Sequence, residues 1–129
     1  MNIIDHLSVG VPSIDQAKAF YDAVLSTINV DCLASTENFA AYGTDSVQFL
    51  LMTPRDGQQN TAGNGAHVCF LAADQTSVDQ FYSIALTQGG SDNGAPGPRP
   101  DYPKSDVYTA FVIDPFGNKL EVIHNGFNA

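Results

Sequence analysis

The sequence predicts an α+β fold made of two copies of a βαβββ module. Three observations predict it: a four-residue pattern occurs twice, each copy opens with a short strand followed by helical spacing, and three strand-like stretches follow each helix. A single module of this kind leaves one face of its sheet bare. The two copies therefore have to pair, and we expect one domain.

The repeated pattern is a His followed by Phe, Tyr and Leu after 14, 15 and 19 residues, and the two copies are about 60 residues apart. The short stretch around each His alternates between apolar and polar residues, which is typical of a strand with one buried face. The matched residues are His6, Phe20, Tyr21 and Leu25 in the first copy and His67, Phe81, Tyr82 and Leu86 in the second.

The first module is predicted to span about residues 1–53. Its opening strand covers residues 4–10, and Ser13 with Gln16 forms a capping-box signal for the helix that follows. Three strands are then expected in the remaining residues. Their approximate ranges are 28–34, 38–43 and 46–53.

The second module is predicted to span about residues 66–125, after a polar linker at 54–65. Its opening strand is 67–71, Asp74 or Thr76 can cap the helix, and Gly89-Gly90 ends it. The three strands that follow are expected at about 92–97, 107–113 and 118–124.

Composition excludes several classes of partner. Fourteen acidic residues against five basic ones give a net charge of −9, so DNA, RNA and anionic membranes would be repelled. No apolar run approaches the roughly 20 residues that span a bilayer, and the first residues lack the features of a signal peptide. With only two cysteines, far apart, we expect a cytoplasmic protein with reduced thiols.

Four polar side chains interrupt otherwise apolar strands and are the candidate functional residues. An unpaired buried carboxylate is costly, so Glu121 needs a cation or hydrogen-bond donors. If the modules pack about a pseudo-twofold axis, the four side chains converge on one cavity and suit a divalent metal such as Fe, Mn, Co, Ni or Zn. The four predicted ligands are His6, Gln48, His67 and Glu121.

Residues 89–105 form a segment rich in glycine and proline, with eight of the eighteen such residues in the chain. A stiff, irregular loop of this kind could cover the cavity and contact a substrate, or it could be an ordinary surface connection. Under the first interpretation, Arg99 and Tyr102 are the predicted substrate contacts, with Asp101 and Lys104 nearby.

Two segments resemble signatures of the vicinal oxygen chelate superfamily, which includes glyoxalase I, bleomycin-resistance proteins and extradiol dioxygenases. Ile4-Asp5-His6-Leu7-Ser8-Val9 followed by Ala19-Phe20-Tyr21 resembles the first-module signature, and the run from Phe111 to Val122 contains the second, Asp114-Pro115-Phe116-Gly117-Asn118 and Glu121. The resemblance implies a glyoxalase-like half-barrel cavity, with metal positions at His6, Gln48, His67 and Glu121. It also implies a homodimer whose site is shared between two subunits or lies close to both.

The resemblance leaves the reaction open. The set His-Gln-His-Glu is associated with methylmalonyl-CoA epimerase, and its His-His-Glu subset with extradiol dioxygenases and fosfomycin-resistance thiol transferases. Gly10 stands where glyoxalase I usually has an Arg, and no second Glu is evident at 39–42. Both departures argue against glutathione and acyl-CoA substrates.

The function that the resemblance implies is a metal-dependent lyase or isomerase, or a dioxygenase-like enzyme, acting on a small substrate chelated through vicinal oxygens. Glu121 would be both a metal ligand and the proton-transfer base. The alternative is a metal-free protein that sequesters a small molecule in the same cavity, where the acidic balance would suit a cationic drug. A third alternative is a domain whose site has decayed.

Overall fold

The computed structural model describes residues 3–128 and contains the predicted βαβββ module twice. The observed strands agree with the predicted ranges to within a few residues. The first module consists of β1 Leu7–Gly10, α1 Ile14–Ser26, β2 Asp31–Ser35, β3 Phe39–Gly43 and β4 Val47–Met52. The second consists of β5 Val68–Leu71, α2 Gln75–Thr87, β6 Ser91–Pro98, β7 Tyr108–Ile113 and β8 Lys119–His124.

Each module forms a four-stranded mixed sheet, and the two sheets have equivalent strand orders. The first runs β1-β4-β3-β2 and the second β5-β8-β7-β6. In both, the opening strand is parallel to the last one, and the other pairs are antiparallel. The parallel ladders begin at Leu7 and Val68, so His6 and His67 lie one residue before the strands on which they were predicted.

The helices begin at the predicted capping residues. The Ser13 hydroxyl accepts a hydrogen bond from the Gln16 N–H at 3.3 Å, and the Asp74 carboxylate, rather than Thr76, accepts one from the Ser77 N–H at 2.8 Å. Helix α2 ends where Gly89 adopts a positive φ of 96°, a backbone conformation that glycine adopts without strain. Among the described residues, no helix is long and apolar enough to cross a membrane.

A single hydrophobic cluster includes residues from both helices and both sheets. The two helices contact each other, and the rings of Phe49 on β4 and Phe70 on β5 meet at 5.1 Å. Burial of this shared apolar surface is the main force holding the modules together. The largest fully buried side chains include Tyr21, Tyr42, Phe20, Phe81, Leu25, Leu51 and Leu120.

Buried hydrogen bonds fix the junction between the modules at the turn between β7 and β8. Asp114 is buried, accepts the Tyr21 hydroxyl of α1 at 2.5 Å, and also accepts the backbone N–H groups of Phe116 and Asn118 at 2.8 Å each. The Asn118 amide in turn donates to the Gly10 carbonyl at 2.9 Å. This turn therefore closes β7 onto β8 and also anchors the second module to the first.

Candidate functional site

The site is built around Glu121, which lies in the middle of β8 and is only 4% exposed. Its cross-strand neighbours are Cys69 on β5 and Phe111 on β7. Because side chains alternate along a strand, Glu121 shares the sheet face opposite the helices with these two residues. A carboxylate buried to this extent needs hydrogen-bond donors or a cation close to it.

Three groups contact the Glu121 carboxylate. The His67 Nε2 lies 3.2 Å from Oε1, while Oε2 accepts hydrogen bonds from the Tyr102 hydroxyl at 2.9 Å and the Thr109 hydroxyl at 2.8 Å. Thr109 also lies 2.7 Å from the Val122 carbonyl, so its one hydroxyl proton is shared between two acceptors. The contacts fix the orientation of the carboxylate and leave Oε1 turned toward the imidazole.

The connection between β6 and β7 delivers Tyr102 to this carboxylate. The Tyr102 N–H donates to the Arg99 carbonyl at 3.1 Å, which closes a tight turn between these two predicted substrate contacts. The Arg99 guanidinium donates to the carbonyls of Ala95, Gly97 and Pro98 and so fixes the preceding segment. Desolvation, and then the hydrogen bond to Glu121, raises the pKa of Tyr102 to about 12, so the phenol stays protonated and donates.

Cys69 lies beside the carboxylate but is not poised as a thiolate ligand. Although the residue as a whole is exposed, desolvation of its sulfur and the nearby charge of Glu121 raise the pKa of its thiol. A protonated thiol is a weak nucleophile and a poor metal ligand. Cys69 is therefore a small, protonated side chain at the edge of the site.

The first module lacks a carboxylate at the position equivalent to Glu121. Cys69 pairs with Glu121 across the parallel ladder of the second sheet, and in the first sheet the corresponding pair is Ser8 and Leu50. By the same register, Gln48 is equivalent to Lys119 rather than to Glu121. Gln48 is exposed and lies one residue before the first pair of β4 with β1, as His6 does on the other strand.

The single chain brings together two of the four predicted ligands, His67 and Glu121. The side chain of His6 is 56% exposed, and its Nδ1 lies 2.6 Å from the Asp5 carboxylate. Within residues 3–128, no group of three His, Cys, Asp or Glu side chains lies close enough to hold a metal ion. The convergence of all four side chains on one ion, within one chain or between two, stays a prediction.

A cleft of about 360 Å³ adjoins the His67 side of the site, which is large enough for a small ligand. It lies between β1 and the start of β5, with linker residues 61–63 along one side and Lys119 on its wall. Thr109, Phe111 and Lys119 also belong to the site, although they were not predicted from the sequence. Thr109 had a detectable signal, because it is a polar residue within an apolar strand, as are His67 and Glu121.

Comparison with known proteins agrees with the paired βαβββ modules. Residues 3–122 match the model of the glyoxalase/bleomycin resistance protein/dioxygenase superfamily. The chain belongs to this superfamily, as its two signature segments indicated. A comparison with curated proteins gives no match.

Solved structures of related proteins show the same fold. A glyoxalase/bleomycin resistance protein from Albidiferax ferrireducens T118 is 30% identical, with a TM-score of 0.87 over 97% of this chain and 100% of the other. A glyoxalase-related enzyme from Fulvimarina pelagi is 14% identical, with a TM-score of 0.75 over 97% and 89% of the two chains. A lactoylglutathione lyase from Agrobacterium tumefaciens is 18% identical, with a TM-score of 0.66 over 97% and 95%.

Proposed function

We propose that this protein is a homodimeric, metal-dependent enzyme that binds a small substrate through two adjacent oxygens. The ion would be held by His67 and Glu121 of one chain and by His6 of the partner subunit. Two imidazoles and one carboxylate form a set that suits first-row divalent metals and leaves coordination positions open for substrate. The observation that carries the proposal is the contact between His67 Nε2 and Glu121 Oε1 at 3.2 Å.

The distance between these two atoms fits a shared ion. Nitrogen and oxygen ligands lie about 2.1 Å from a metal such as zinc, so two ligands separated by about 90–110° at the ion are about 3.0–3.4 Å apart. Oε1 faces the imidazole, and the His67 side chain is 42% exposed, so the buried carboxylate is approached from the His67 side. The two residues therefore supply two of the three ligands that a facial arrangement needs.

The third ligand is assigned to a second copy because the described part of one chain offers none. His6 is exposed and contacts only the neighbouring Asp5, so its imidazole can reach a partner chain. Gln48, like His6, lies one residue before the first pair of the β1–β4 ladder, and it would be the fourth ligand from the same subunit. A shared centre also gives a reason for dimerisation, since neither chain completes the ligand set by itself.

The residues around the ion have separable roles in this proposal. When bound, the metal would supply positive charge that stabilises an oxyanion developing on the substrate. Tyr102 and Thr109 hold Oε2 of Glu121 and so keep Oε1 turned toward the ligand position. Glu121 is also the candidate proton-transfer base, a role open to Oε1 when it is not bound to the ion, because Tyr102 and Thr109 already donate to Oε2. The proposal covers lyase or isomerase and dioxygenase reactions alike, since both begin by binding two adjacent oxygens.

Mixed dimers test the shared site. His6→Ala and Glu121→Gln chains are refolded together, and the metal content per dimer is measured. Each variant by itself is expected to form a homodimer that binds no metal. In the mixed dimer, one site contains the intact His6 of one chain with the intact His67 and Glu121 of the other. We expect about half of the wild-type metal content in that dimer, with the homodimers remaining empty. No recovery in the mixed dimer, or full metal binding by His6→Ala alone, would overturn the proposal.

A second candidate function is metal-free sequestration of a small molecule in the same cleft. The observation that favours it is Leu50, which occupies the position in the first module equivalent to Glu121. An apolar side chain there cannot serve as a second carboxylate ligand. The two functions are distinguished by His67→Ala. Retained small-molecule affinity together with no response of the wild-type thermal midpoint to divalent ions would favour sequestration. For a specific ion at 100 times its Kd, we expect a stabilisation of about 2.7 kcal/mol.

A further inference from the structure

Two cationic side chains flank Phe111, the residue directly opposite Glu121 in the β7–β8 ladder. The Lys119 Nζ lies 4.9 Å from the centre of the Phe111 ring, and the Arg99 guanidinium carbon lies 5.9 Å from it. The His67 ring is 6.1 Å from the same ring. Three of the eight basic side chains in the sequence therefore meet at one aromatic residue beside the proposed metal ligands.

Neither Lys119 nor Arg99 has a carboxylate partner among residues 3–128. Lys18, by contrast, lies 3.6 Å from Asp22 on the same helix. An aromatic ring attracts a cation through its quadrupole but carries no net charge, so it does not neutralise the cation. In a chain with a net charge of −9, acidic partners are plentiful, and leaving these two cations without one keeps their charge available to a ligand.

The two cations differ in how firmly they are held. Three of the five N–H groups of Arg99 donate to the carbonyls of Ala95, Gly97 and Pro98, so the guanidinium is fixed and two donors remain. Lys119 is exposed and lies on the wall of the 360 Å³ cleft together with His67. A fixed cation and a flexible one over the same ring offer charge and hydrogen-bond donors to a small anion.

We propose that this site selects an anionic substrate, whose carboxylate or phosphate group lies between Lys119 and Arg99 over Phe111. The inference rests on the proposed function and names its substrate class. The anionic group would sit next to the two oxygens directed to the ion, so the molecule is a small carboxylate or phosphate with an adjacent oxygen function. A neutral analogue of the same size loses the charge-assisted hydrogen bonds that Lys119 and Arg99 offer.

The test uses metal-free protein, so that anion binding and metal binding are measured separately. After treatment with a chelator and dialysis, oxalate, inorganic phosphate and neutral oxamide are titrated by isothermal calorimetry. Oxalate and phosphate distinguish carboxylate from phosphate recognition, and oxamide controls for shape. We expect at least one anion to bind and oxamide not to bind.

The matched variants are Lys119→Gln and Arg55→Gln, which change the net charge equally. Arg55 lies in the linker and is exposed, as Lys119 is, so both variants are expected to keep the wild-type thermal midpoint. We expect Lys119→Gln to weaken anion binding at least tenfold and Arg55→Gln to leave it within about twofold. Equal weakening by both variants, or binding of oxamide as tight as that of the anions, would overturn the inference. If anions bind as expected but the mixed dimers hold no metal, the proposed function fails and the anion site stands.

Discussion

The two modules share their topology but differ in the sheet face that points away from the helices. In the second module this face carries the buried Glu121 with its three hydrogen-bonded neighbours, and Lys119 and Arg99 lie around it. In the first module the equivalent ladder position is Leu50, paired with Ser8. The comparison shows that core packing was retained in both copies, whereas the polar chemistry is concentrated in one. Under the proposed function, the second module therefore supplies His67 and Glu121, and the first module of a partner subunit supplies the other ligands.

The modules also differ at the turn before their last strand. Asp114 in the second module is buried and holds Tyr21 of the first, whereas Asp45, in the corresponding turn, is exposed. Tyr21 and its repeat counterpart Tyr82 show the same contrast. Tyr21 is fully buried and reaches across the modules, while Tyr82 is half-buried and donates to Asp92 within its own module. Of the two tyrosines in the repeated pattern, only Tyr21 therefore forms a hydrogen bond between the modules.

The largest expected effect is that of Asp114→Ala on stability. The substitution leaves the Tyr21 hydroxyl and two backbone N–H groups without their acceptor in a buried turn, which costs about 3–5 kcal/mol. Chemical denaturation measures the free energy of unfolding, with Asp45→Ala as the matched control at the exposed turn. Equal losses from both variants would show that the two turns contribute alike and would remove this difference between the modules.

Glu121→Leu makes the second module resemble the first at the ligand position. We expect metal affinity to fall at least about 100-fold, because an ion-ligating carboxylate is lost and even supporting contacts contribute about 10–100-fold. The fold should persist, since Thr109 keeps its bond to the Val122 carbonyl and Tyr102 is partly exposed. Calorimetric metal titration measures the effect, with Glu37→Leu as control. Unchanged affinity in the Glu121 variant would remove this carboxylate from the metal site.

Tyr102→Phe tests whether the hydroxyls that orient Glu121 matter for metal binding. Loss of one donor to Oε2 should lower metal affinity by about 10-fold while leaving the thermal midpoint nearly unchanged. The control is Tyr108→Phe, which removes a hydroxyl bonded to Asp79 outside the site. An equal reduction of affinity in both variants would indicate a general effect on the sheet rather than orientation of Glu121.

The smallest predicted effect concerns the alkaline pH dependence of stability. Burial, followed by the charge of Asp114, raises the pKa of Tyr21 well above its ordinary value, so the folded state keeps its proton where the unfolded state loses it. The stabilising contribution is complete below about pH 10 and decreases above it, by about 1.4 kcal/mol at pH 11. Tyr21→Phe should remove this part of the pH dependence, and Tyr82→Phe should remove less. Identical profiles between pH 9 and 11 for both variants would contradict this difference.

The repeat and the helix caps were predictable from the sequence because they depend on local chemistry. Both signals involve residues only a few positions apart. Strands are indicated by alternating apolar residues, and the Ser13 and Asp74 side chains each accept a hydrogen bond from an amide three residues later. The pairing of the two modules followed from the duplication, since a bare sheet face has to be covered. Glu121 was also identified from the sequence, because a carboxylate within Leu-Glu-Val-Ile requires partners wherever the strand lies.

Other features depended on register and on which residues meet across the sheet. A shift of two residues in the β1–β4 ladder separates Gln48 from Leu50, and the sequence alone did not fix which of them corresponds to Glu121. The loop residues Arg99 and Tyr102 were identified as a pair, but only the fold shows that one holds its own loop and the other holds Glu121.

The sequence by itself determined the duplicated architecture, the acidic surface charge and the polar residues that a buried strand cannot leave unpaired. Only the tertiary structure decided that His67 and Glu121 meet at 3.2 Å while His6 stays exposed. The physical reason is range. Secondary structure and burial of an apolar face arise from neighbours along the chain, whereas the contact between His67 and Glu121 joins side chains that the sequence separates by 54 residues.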